Sequence, residues 1–241
     1  MGSSNGFLQW LTDYRQRMLA IDSSVQALDI IRDETMRHGF DVFAFGVKRA
    51  TPFTRPSTRM RGTYPEAWLS IYRDKNYGAI DPTIEQALRT TRMVVWSDTL
   101  REEHPLFFEE AKEHGLCEGV TLSNKGPDNA VRFLSFSRSS GGVTDAEGAR
   151  IGVAFKWMLD ILVETLIRIE DDIVVGEATS LTRREKEILQ WTADGKSSGE
   201  ISMILDISEN TVNFHLKGIQ RKFHAPNKTF AAAYAAAQGM L

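Results

Sequence analysis

The side chains best suited to contact nucleic-acid bases lie on one predicted helix near the C-terminus, Glu209–Lys222. On that helix Asn213, Phe214 and Lys217 are spaced to face one groove of a duplex. An asparagine amide matches adenine, a lysine ammonium matches guanine, and an aromatic ring can contact the methyl group of thymine. The pattern therefore predicts direct contacts with base pairs.

Other basic and polar side chains near this helix suit the phosphate backbone, whose contacts position a protein on DNA without reading its sequence. The candidates are Lys196, Ser197, Thr211, Arg221 and Lys222. Lys228 is explained equally well as a solvated lysine on a helix surface. Asn227 is predicted to cap an alanine-rich final helix, whose N-terminal N–H groups also suit a phosphate.

Three consecutive capped helices are predicted around these residues. Thr182–Glu185 and Ser197–Glu200 each have the Thr/Ser-x-x-Glu pattern of a capping box, and Ser208 is the predicted N-cap of the third helix. The residues expected to be buried in the middle helix are Ile201, Ile204 and Leu205. A short helix, a tight turn and a longer helix form the helix-turn-helix motif that enters the major groove.

Charge is unevenly distributed along the 241 residues. The chain has 29 basic and 32 acidic side chains, which gives a net charge of −3. Eight of the basic and six of the acidic residues lie from Thr179 onward, so that part carries about +2 and the preceding part about −5. The C-terminal part is therefore favoured for DNA binding, although its excess of positive charge is modest.

The first 170 residues alternate between strand-like and helical patterns. Strands are predicted at Asp41–Lys48, Glu118–Ser123 and Ala130–Arg138, with amphipathic helices around them and a long helix from Thr144 to Glu170. We predict an α+β fold: an N-terminal α-β-α sandwich on an antiparallel sheet, then an all-α, four-helix helix-turn-helix domain. The predicted boundaries are 1–170 for the first domain, 171–180 for a linker without periodicity, and 181–241 for the second domain.

Composition limits the compartment and the class of protein. The only cysteine, Cys117, rules out an intrachain disulfide and is expected to be a buried structural thiol. No apolar run approaches the length of a membrane span, and the N-terminus lacks a secretory signal pattern. We expect a cytoplasmic protein with a packed core, because 42% of the residues are hydrophobic.

Several short motifs together resemble the LuxR family of acyl-homoserine-lactone receptors. They are Tyr64–Trp68 (YPEAW), Tyr72, Asn76-Tyr77, Asp81-Pro82, Val95-Trp96, Leu181–Glu185 (LTRRE), Trp191–Ser197 (WTADGKS) and Thr211–His215 (TVNFH). The resemblance extends over essentially the whole chain. It implies an autoinducer-binding domain joined to a LuxR-type DNA-binding domain, in a dimeric, signal-dependent transcription activator that works with RNA polymerase.

The resemblance also implies how the ligand is held. The indole of Trp68 would donate to the lactone carbonyl, and Asp81 would accept from the amide N–H. Tyr64 and Ser135 would donate to the carbonyl of the acyl chain. By residue type alone, Trp68 is as readily a core aromatic, Asp81 a turn or N-cap residue, and Ser135 an ordinary strand serine.

The acyl chain would lie in a mostly apolar pocket. Its predicted lining is Ala44, Met60, Leu69, Tyr72, Trp96, Phe108, Leu116 and Phe133. Met60 and Phe133 are larger than the aliphatic residues typical of such receptors, so we expect a short acyl chain, N-butanoyl in the first place. Their volume also predicts a fold that stays soluble without ligand, because cavity filling stabilises proteins. No cofactor or metal ion is expected besides the N-acyl-homoserine lactone.

A homodimer is expected because one helix-turn-helix domain contacts too little DNA to be selective, whereas two can bind half-sites about 10 bp apart on a palindrome. An apolar stripe on the long helix is formed by Ile151, Phe155, Met158, Ile161, Leu162, Thr165 and Ile169. Part of this stripe must pack on the sheet, and the remainder is a candidate dimer seam. Receptors of this kind are also associated with PqsE, so a PqsE-like metallo-hydrolase-fold protein is a candidate partner.

Three other functions remain open at this stage. An enzyme is disfavoured, because Gly195-Lys196-Ser197 lacks the first glycine of a P-loop and the five histidines include no zinc-binding pair. A phosphorylated response regulator shares this type of output domain but needs a doubly wound first domain. A ligand-independent or partner-dependent DNA-binding regulator with a filled pocket fits the same motifs.

Overall fold

The computed structural model describes residues 2–54, 56–175 and 180–241, without the side chains of residues 2–5. The chain forms two compact units. The first comprises residues 1–49, 56–125 and 131–176, and the second comprises residues 50–55, 126–130 and 177–241. No helix in the described ranges is long and apolar enough to cross a membrane.

A five-stranded antiparallel sheet forms the centre of the first unit. Its strands are β1 (Val42–Lys48), β2 (Thr58–Gly62), β3 (Val94–Val95), β4 (Glu118–Lys125) and β5 (Val131–Arg138). Their order across the sheet is β2-β1-β5-β4-β3, with β2 and β3 at the edges. Because successive side chains of a strand face opposite sides, β5 directs Phe133 and Ser135 to one face and Leu134 and Phe136 to the other.

Helices pack on both faces of this sheet. They are α1 (Gly2–Leu19), α2 (Ser24–Arg37), α3 (Glu66–Asp74), α4 (Tyr77–Ile80), α5 (Pro82–Leu88), α6 (Asp98–Glu103), α7 (Pro105–Glu113) and α8 (Asp145–Arg168). Helices α1, α2 and α8 contact one another on the face of Phe136, whose ring stacks on that of Phe155 at 4.0 Å. An aromatic cluster from α3 to α7, including Trp68 and Phe107, covers the other face. The predicted α-β-α sandwich is confirmed.

The long helix α8 uses its main apolar stripe inside the first unit. Ile151, Phe155, Met158, Ile161, Leu162 and Thr165 are all buried. The stripe is covered because α8 packs against two helices as well as the sheet, so these residues are unavailable to a second copy of the chain. Six of the seven predicted stripe residues are therefore core residues, and the dimer seam stays a prediction for the half-buried Ile169 alone. The large apolar residues that α8 does expose are Val153, Trp157 and Ile167.

The segment after α8 is anchored to the edge strand β2. Arg61 donates to both carboxylate oxygens of Asp171, at 2.9 and 2.7 Å, and pairs with Asp172 as well. Arg59 donates to the backbone carbonyl of Asp172 at 2.8 Å. The first part of the predicted linker is thus packed against the sheet, and its residues 176–179 lie outside the described residues.

Helices α9 (Arg183–Ala193), α10 (Ser198–Leu205), α11 (Glu209–Lys222) and α12 (Lys228–Ala237) make up the described part of the C-terminal domain. Both predicted capping boxes are present, and the Ser208 side chain caps α11. The helix-turn-helix prediction is confirmed. Ile204, however, is 44% exposed, because the two-turn helix α10 contacts α9 and α11 through the face that carries the fully buried Ile201.

Candidate functional site

A small cavity lies between the sheet and helices α3, α5 and α7. Its lining consists of Ala44, Met60, Tyr64, Trp68, Tyr72, Asp81, Thr83, Trp96, Phe107, Ala111, Leu116, Phe133 and Ser135. Ten of the twelve predicted ligand-binding residues are in this lining, although they come from strands and helices distant in sequence. The fold therefore brings the predicted polar and apolar residues to one enclosed place.

Two of the predicted residues do not line the cavity. Leu69 follows Trp68 on α3, and neighbouring helical residues point in directions about 100° apart, so it is half-buried elsewhere. Phe108 is buried behind Trp96, with the two ring centroids 6.0 Å apart. Phe108 supports the cavity wall through Trp96, and neither residue forms part of the lining.

Three lining residues were missed in the sequence. Phe107 and Ala111 are four residues apart and therefore share one face of α7, a spacing that the sequence does display. Phe107, and not the predicted Phe108, lies on the inner face of α7. Thr83 lines the cavity because it lies in the first turn of α5, directly after Asp81 and Pro82.

Asp81 is both a helix cap and an acceptor facing the cavity. Its Oδ1 accepts from the backbone N–H and the hydroxyl of Thr83, at 2.8 and 2.7 Å, and from the backbone N–H of Ile84 at 3.3 Å. Its Oδ2 accepts from the hydroxyl of Tyr72 at 2.8 Å. Burial raises the pKa of Asp81, and the hydrogen bonds from Thr83, Tyr72 and Ile84 offset part of that rise. An ionised carboxylate keeps acceptor capacity at Oδ2.

Tyr64 brings an unsatisfied hydroxyl to the same cavity. Its hydroxyl oxygen is buried and makes no hydrogen bond of normal geometry among the described residues, although the Ser135 hydroxyl lies near enough to interact with it. Burial and the negative charge of Asp81 raise the pKa of Tyr64, while the nearby Ser135 hydroxyl lowers it in part. An unpaired buried hydroxyl costs about 1–3 kcal/mol, so this group favours a ligand that offers it a polar atom.

The floor of the cavity carries a chain of hydrogen bonds between side chains. The indole Nε1 of Trp96 donates to Oγ1 of Thr121 at 3.0 Å. Oγ1 of Thr121 and Oγ of Ser135 are 2.9 Å apart, on residues paired across β4 and β5. Trp68 lies opposite in the aromatic cluster, with its ring 5.6 Å from that of Phe107.

The space inside this lining is small. The cavity volume is about 20 Å³, which is room for about one water molecule. Any organic ligand must therefore displace side chains. Met60 is the most adaptable of the lining residues, because it is only partly buried and has three flexible torsions. No group of three or more His, Cys, Asp or Glu side chains suited to a metal ion occurs in the described part of the chain.

The second candidate site is the outer face of α11. Phe214 is 67% exposed, and Thr211, Lys217 and Arg221 are exposed around it. Asn213 is half-buried, since its amide oxygen accepts from the Ser198 hydroxyl at 2.8 Å. That contact uses one lone pair of the amide oxygen, so Asn213 keeps its N–H₂ donor and a second lone pair for the adenine edge.

Two predicted phosphate contacts have other roles within the domain. Lys222 donates to Glu185 at 2.7 Å and to the carbonyl of Ser180 at 3.1 Å, which ties the end of α11 to the start of α9. The hydroxyl of Ser197 donates to Glu200 at 2.8 Å within the capping box. Lys196 lies 3.9 Å from Glu200 and is 41% exposed, so its ammonium group can still contact a phosphate.

Comparison with known proteins identifies the families of both parts of the chain. Residues 23–166 match the family described as "Autoinducer binding domain", and residues 179–235 match "Bacterial regulatory proteins, luxR family". The HTH-type quorum-sensing regulator RhlR of Pseudomonas aeruginosa is 46% identical over 241 residues, with both chains covered completely. The crystal structure of Escherichia coli SdiA is 38% identical, with a TM-score of 0.88 over 97% of this chain and 98% of that chain. The complex of SdiA with octanoyl-rac-glycerol gives a TM-score of 0.86 at 38% identity, over 96% and 95% of the two chains.

Proposed function

Because this chain belongs to the LuxR family of quorum-sensing transcription regulators, with an autoinducer-binding and a DNA-binding domain, we propose that its ligand is a short-chain N-acyl-homoserine lactone. N-butanoyl-homoserine lactone is the first candidate. In this proposal the liganded protein is a homodimer that binds palindromic promoter DNA and activates transcription by RNA polymerase.

The proposal rests on the opposite hydrogen-bonding capacities of Tyr64, which can donate, and Asp81, which can accept. The buried Tyr64 hydroxyl makes no hydrogen bond of normal geometry among the described residues, and the Asp81 carboxylate, when ionised, can only accept. An N-acyl amide offers one carbonyl acceptor and one N–H donor, so it satisfies both groups at once. Trp68 would then donate to the lactone carbonyl, and Ser135 would add a second donor at the acyl carbonyl.

The limited volume supports a short acyl chain. Met60 and Phe133 both line a cavity of about 20 Å³, and each additional methylene needs more room in a closely packed interior. A butanoyl chain requires the smallest rearrangement among acyl chains that still bury apolar surface. Each buried methylene group stabilises the complex by about 0.8 kcal/mol. Longer acyl chains are therefore favoured only where the wall can open without strain.

The test is thermal unfolding of the purified protein with homoserine lactones of increasing acyl length, and with 1-octanoyl-rac-glycerol. A ligand that binds only the folded protein raises its stability by about 2.7 kcal/mol at a hundredfold excess over its Kd. We expect the largest rise in Tm with the butanoyl lactone. The same series on Tyr64→Phe should show a smaller rise.

Tyr77→Phe is the matched control, because it also removes one phenolic hydroxyl. The Tyr77 hydroxyl donates to Glu110 at 2.8 Å, and Tyr77 is not in the cavity lining. Its ligand-induced rise in Tm should equal that of the unsubstituted protein. No shift with any lactone would contradict the proposed ligand, and a shift with the acylglycerol alone would point to a different acyl compound.

A second candidate function follows from the small volume itself. A cavity of about 20 Å³ also suits a ligand-independent DNA-binding regulator, or one whose competence depends on a partner such as a PqsE-like protein. DNA binding of equal affinity with and without lactone would favour this alternative. Measurement of duplex binding by fluorescence anisotropy in both conditions separates the two functions.

The DNA-binding half of the proposal assigns base contacts to Phe214, Lys217 and the side-chain amide of Asn213. Thr211, Arg221 and Lys196 would contact phosphates. A homodimer is proposed because two such domains are needed to select a palindrome. Selection of bound duplexes from a random pool tests this, and an enriched sequence without two-fold symmetry would contradict it.

A further inference from the structure

The hydrogen-bonded chain at the cavity floor consists of three groups with different capacities. An indole N–H can only donate, whereas a threonine or serine hydroxyl carries one proton and two lone pairs. Trp96 Nε1 lies 3.0 Å from Thr121 Oγ1, which lies 2.9 Å from Ser135 Oγ. Thr121 is fully buried and does not line the cavity, whereas Ser135 does.

The donor-only indole determines the direction of this chain. Thr121 must accept from Trp96, and its own proton has Ser135 as its only partner among the described residues. If Ser135 donated to Thr121 instead, the Thr121 proton would be left without an acceptor in a site closed to water, at the cost of its desolvation. The arrangement that satisfies every group therefore runs from Trp96 to Thr121 to Ser135.

We propose that Thr121 is a positioning residue. Because Thr121 donates to Ser135, the Ser135 hydroxyl can donate only into the cavity. Ser135 accepts from Thr121, so its own proton is left to point into the cavity that Tyr64 also lines. The site thereby selects ligands that place a carbonyl oxygen, or another acceptor, at this point. The inference rests on the proposed function, because it assigns Ser135 to the acyl carbonyl of an N-acyl-homoserine lactone.

The first test measures the affinity of N-butanoyl-homoserine lactone for variants of the full-length protein by isothermal calorimetry. Thr121→Val keeps the shape but removes the hydroxyl, and Thr121→Ser restores it. We expect Thr121→Val to weaken binding by about 3- to 10-fold, the usual effect of one hydrogen bond, and Thr121→Ser to stay within about twofold. In a Ser135→Ala background, Thr121→Val should have no further effect.

An equal loss from Thr121→Val in both backgrounds would overturn the proposal, since it would indicate a packing role independent of Ser135. Unchanged affinity of Thr121→Val would also overturn it. Thermal unfolding without ligand checks that both variants are folded. It also gives the Tm of Thr121→Val, so that calorimetry can be done well below that temperature.

A second measurement does not depend on the lactone. Neutron diffraction from the deuterated protein locates the hydroxyl deuterons directly. We expect the Thr121 deuteron on the line to Ser135 Oγ, and the Ser135 deuteron directed to the cavity. A Ser135 deuteron pointing to Thr121 would refute the proposed direction even if no lactone bound, so failure of this inference and failure of the proposed function are distinguishable.

Discussion

The ring of Phe133 lies directly over the α-carbon of Gly46 on the neighbouring strand. The two residues are paired across β1 and β5, and a β-carbon placed on Gly46 would come within 2.1 Å of Phe133 Cζ. Gly46→Ala must therefore push the ring away from the sheet, on the side of the cavity. Overpacking of this kind costs about 1–3 kcal/mol, and we expect lactone affinity to fall by about tenfold or more.

Gly46→Ala combined with Phe133→Leu tests the cause, because a smaller side chain leaves room for the added methyl group. Calorimetry on this double variant should recover most of the lost affinity. The matched control is Gly152→Ala on α8, where an added β-carbon meets only the Met93 side chain at 3.8 Å. If the double variant binds as weakly as Gly46→Ala, displacement of the ring is not the cause.

Phe133→Val should enlarge the cavity and lower the stability of the unliganded protein. Phe133 is 1% exposed, and removal of most of a buried ring costs about 2–4 kcal/mol. We expect a lower Tm without ligand, less soluble protein when it is expressed without lactone, and a preference shifted to longer acyl chains. Thermal unfolding across the lactone series measures all but the expression effect.

Phe43→Val is the control for Phe133→Val. Phe43 is equally buried but pairs with Phe136, on the face of the sheet away from the cavity. Its replacement should lower Tm to a similar extent and leave the order of preferred chain lengths unchanged. Identical shifts in chain-length preference for both variants would mean that loss of stability alone explains the effect.

Asp81 predicts a pH dependence of ligand affinity. In the proposed complex the carboxylate would accept from the ligand amide only when ionised, and burial holds the pKa of Asp81 above its ordinary value of 3.8. Affinity should be greatest when the pH is well above this raised pKa, and it should fall as the pH drops through it. Calorimetry at a series of falling pH values measures the decrease, with Asp81→Asn as a weak binder whose affinity varies little with pH.

The same shift acts on stability in the opposite direction. A raised pKa means that the folded protein binds the proton more tightly than the unfolded chain does, so ionised Asp81 destabilises the fold at neutral pH. This cost is lost as the pH falls below the raised pKa. Affinity that increases on acidification would contradict an acceptor role for Asp81.

Arg221 and Lys222 are neighbours on α11, yet their replacements should differ in effect. Arg221 is exposed, so Arg221→Gln should weaken binding to a non-specific duplex and reduce the slope of log affinity against log salt by about 1. Lys222 pairs with Glu185, which is 9% exposed, so Lys222→Gln should mainly lower Tm. Fluorescence anisotropy at several salt concentrations, with thermal unfolding, separates the two effects.

The pKa of Glu185 explains why Lys222→Gln should lower Tm at neutral pH. Burial alone would raise the pKa of Glu185, but hydrogen bonds from Lys222 and Thr182 outweigh it and hold the pKa below its ordinary value. The pair therefore stabilises the domain at neutral pH, and that contribution is lost as the pH falls through the lowered pKa. If Lys222→Gln weakens DNA binding as much as Arg221→Gln at unchanged Tm, Lys222 contacts phosphate after all.

Local patterns in the sequence predicted the elements that depend on neighbouring residues. Each capping box uses side chains three residues apart, and the Thr182 and Ser197 boxes are both present as expected. The edge strand β2 was missed, because its sequence, Thr-Arg-Met-Arg-Gly, is mostly polar and its one large apolar residue is Met60. Its charged residues have partners in a segment more than 100 positions away, which no local pattern reveals.

The cavity was predicted mainly through the family resemblance, and its errors arise from packing direction. Phe107 and Phe108 are adjacent and equally apolar, so only the rotation of α7 decides which one faces the cavity. Ile204 had the spacing of a buried residue, but α10 contacts α9 and α11 through the face of Ile201. Lys222 and Arg221 are both basic, and the position of Glu185 on another helix distinguishes them.

The enclosure of the cavity has a consequence for timing. Trp68, Tyr72, Trp96, Leu116, Phe133 and Ser135 are each less than 6% exposed. A molecule held among them can leave only when part of this wall opens, so the rate of wall opening limits its residence time, while its contacts set its affinity. Two signals of equal affinity can then stay bound for different periods after their source disappears. A substitution that loosens the wall would shorten the residence time without altering any contact to the ligand.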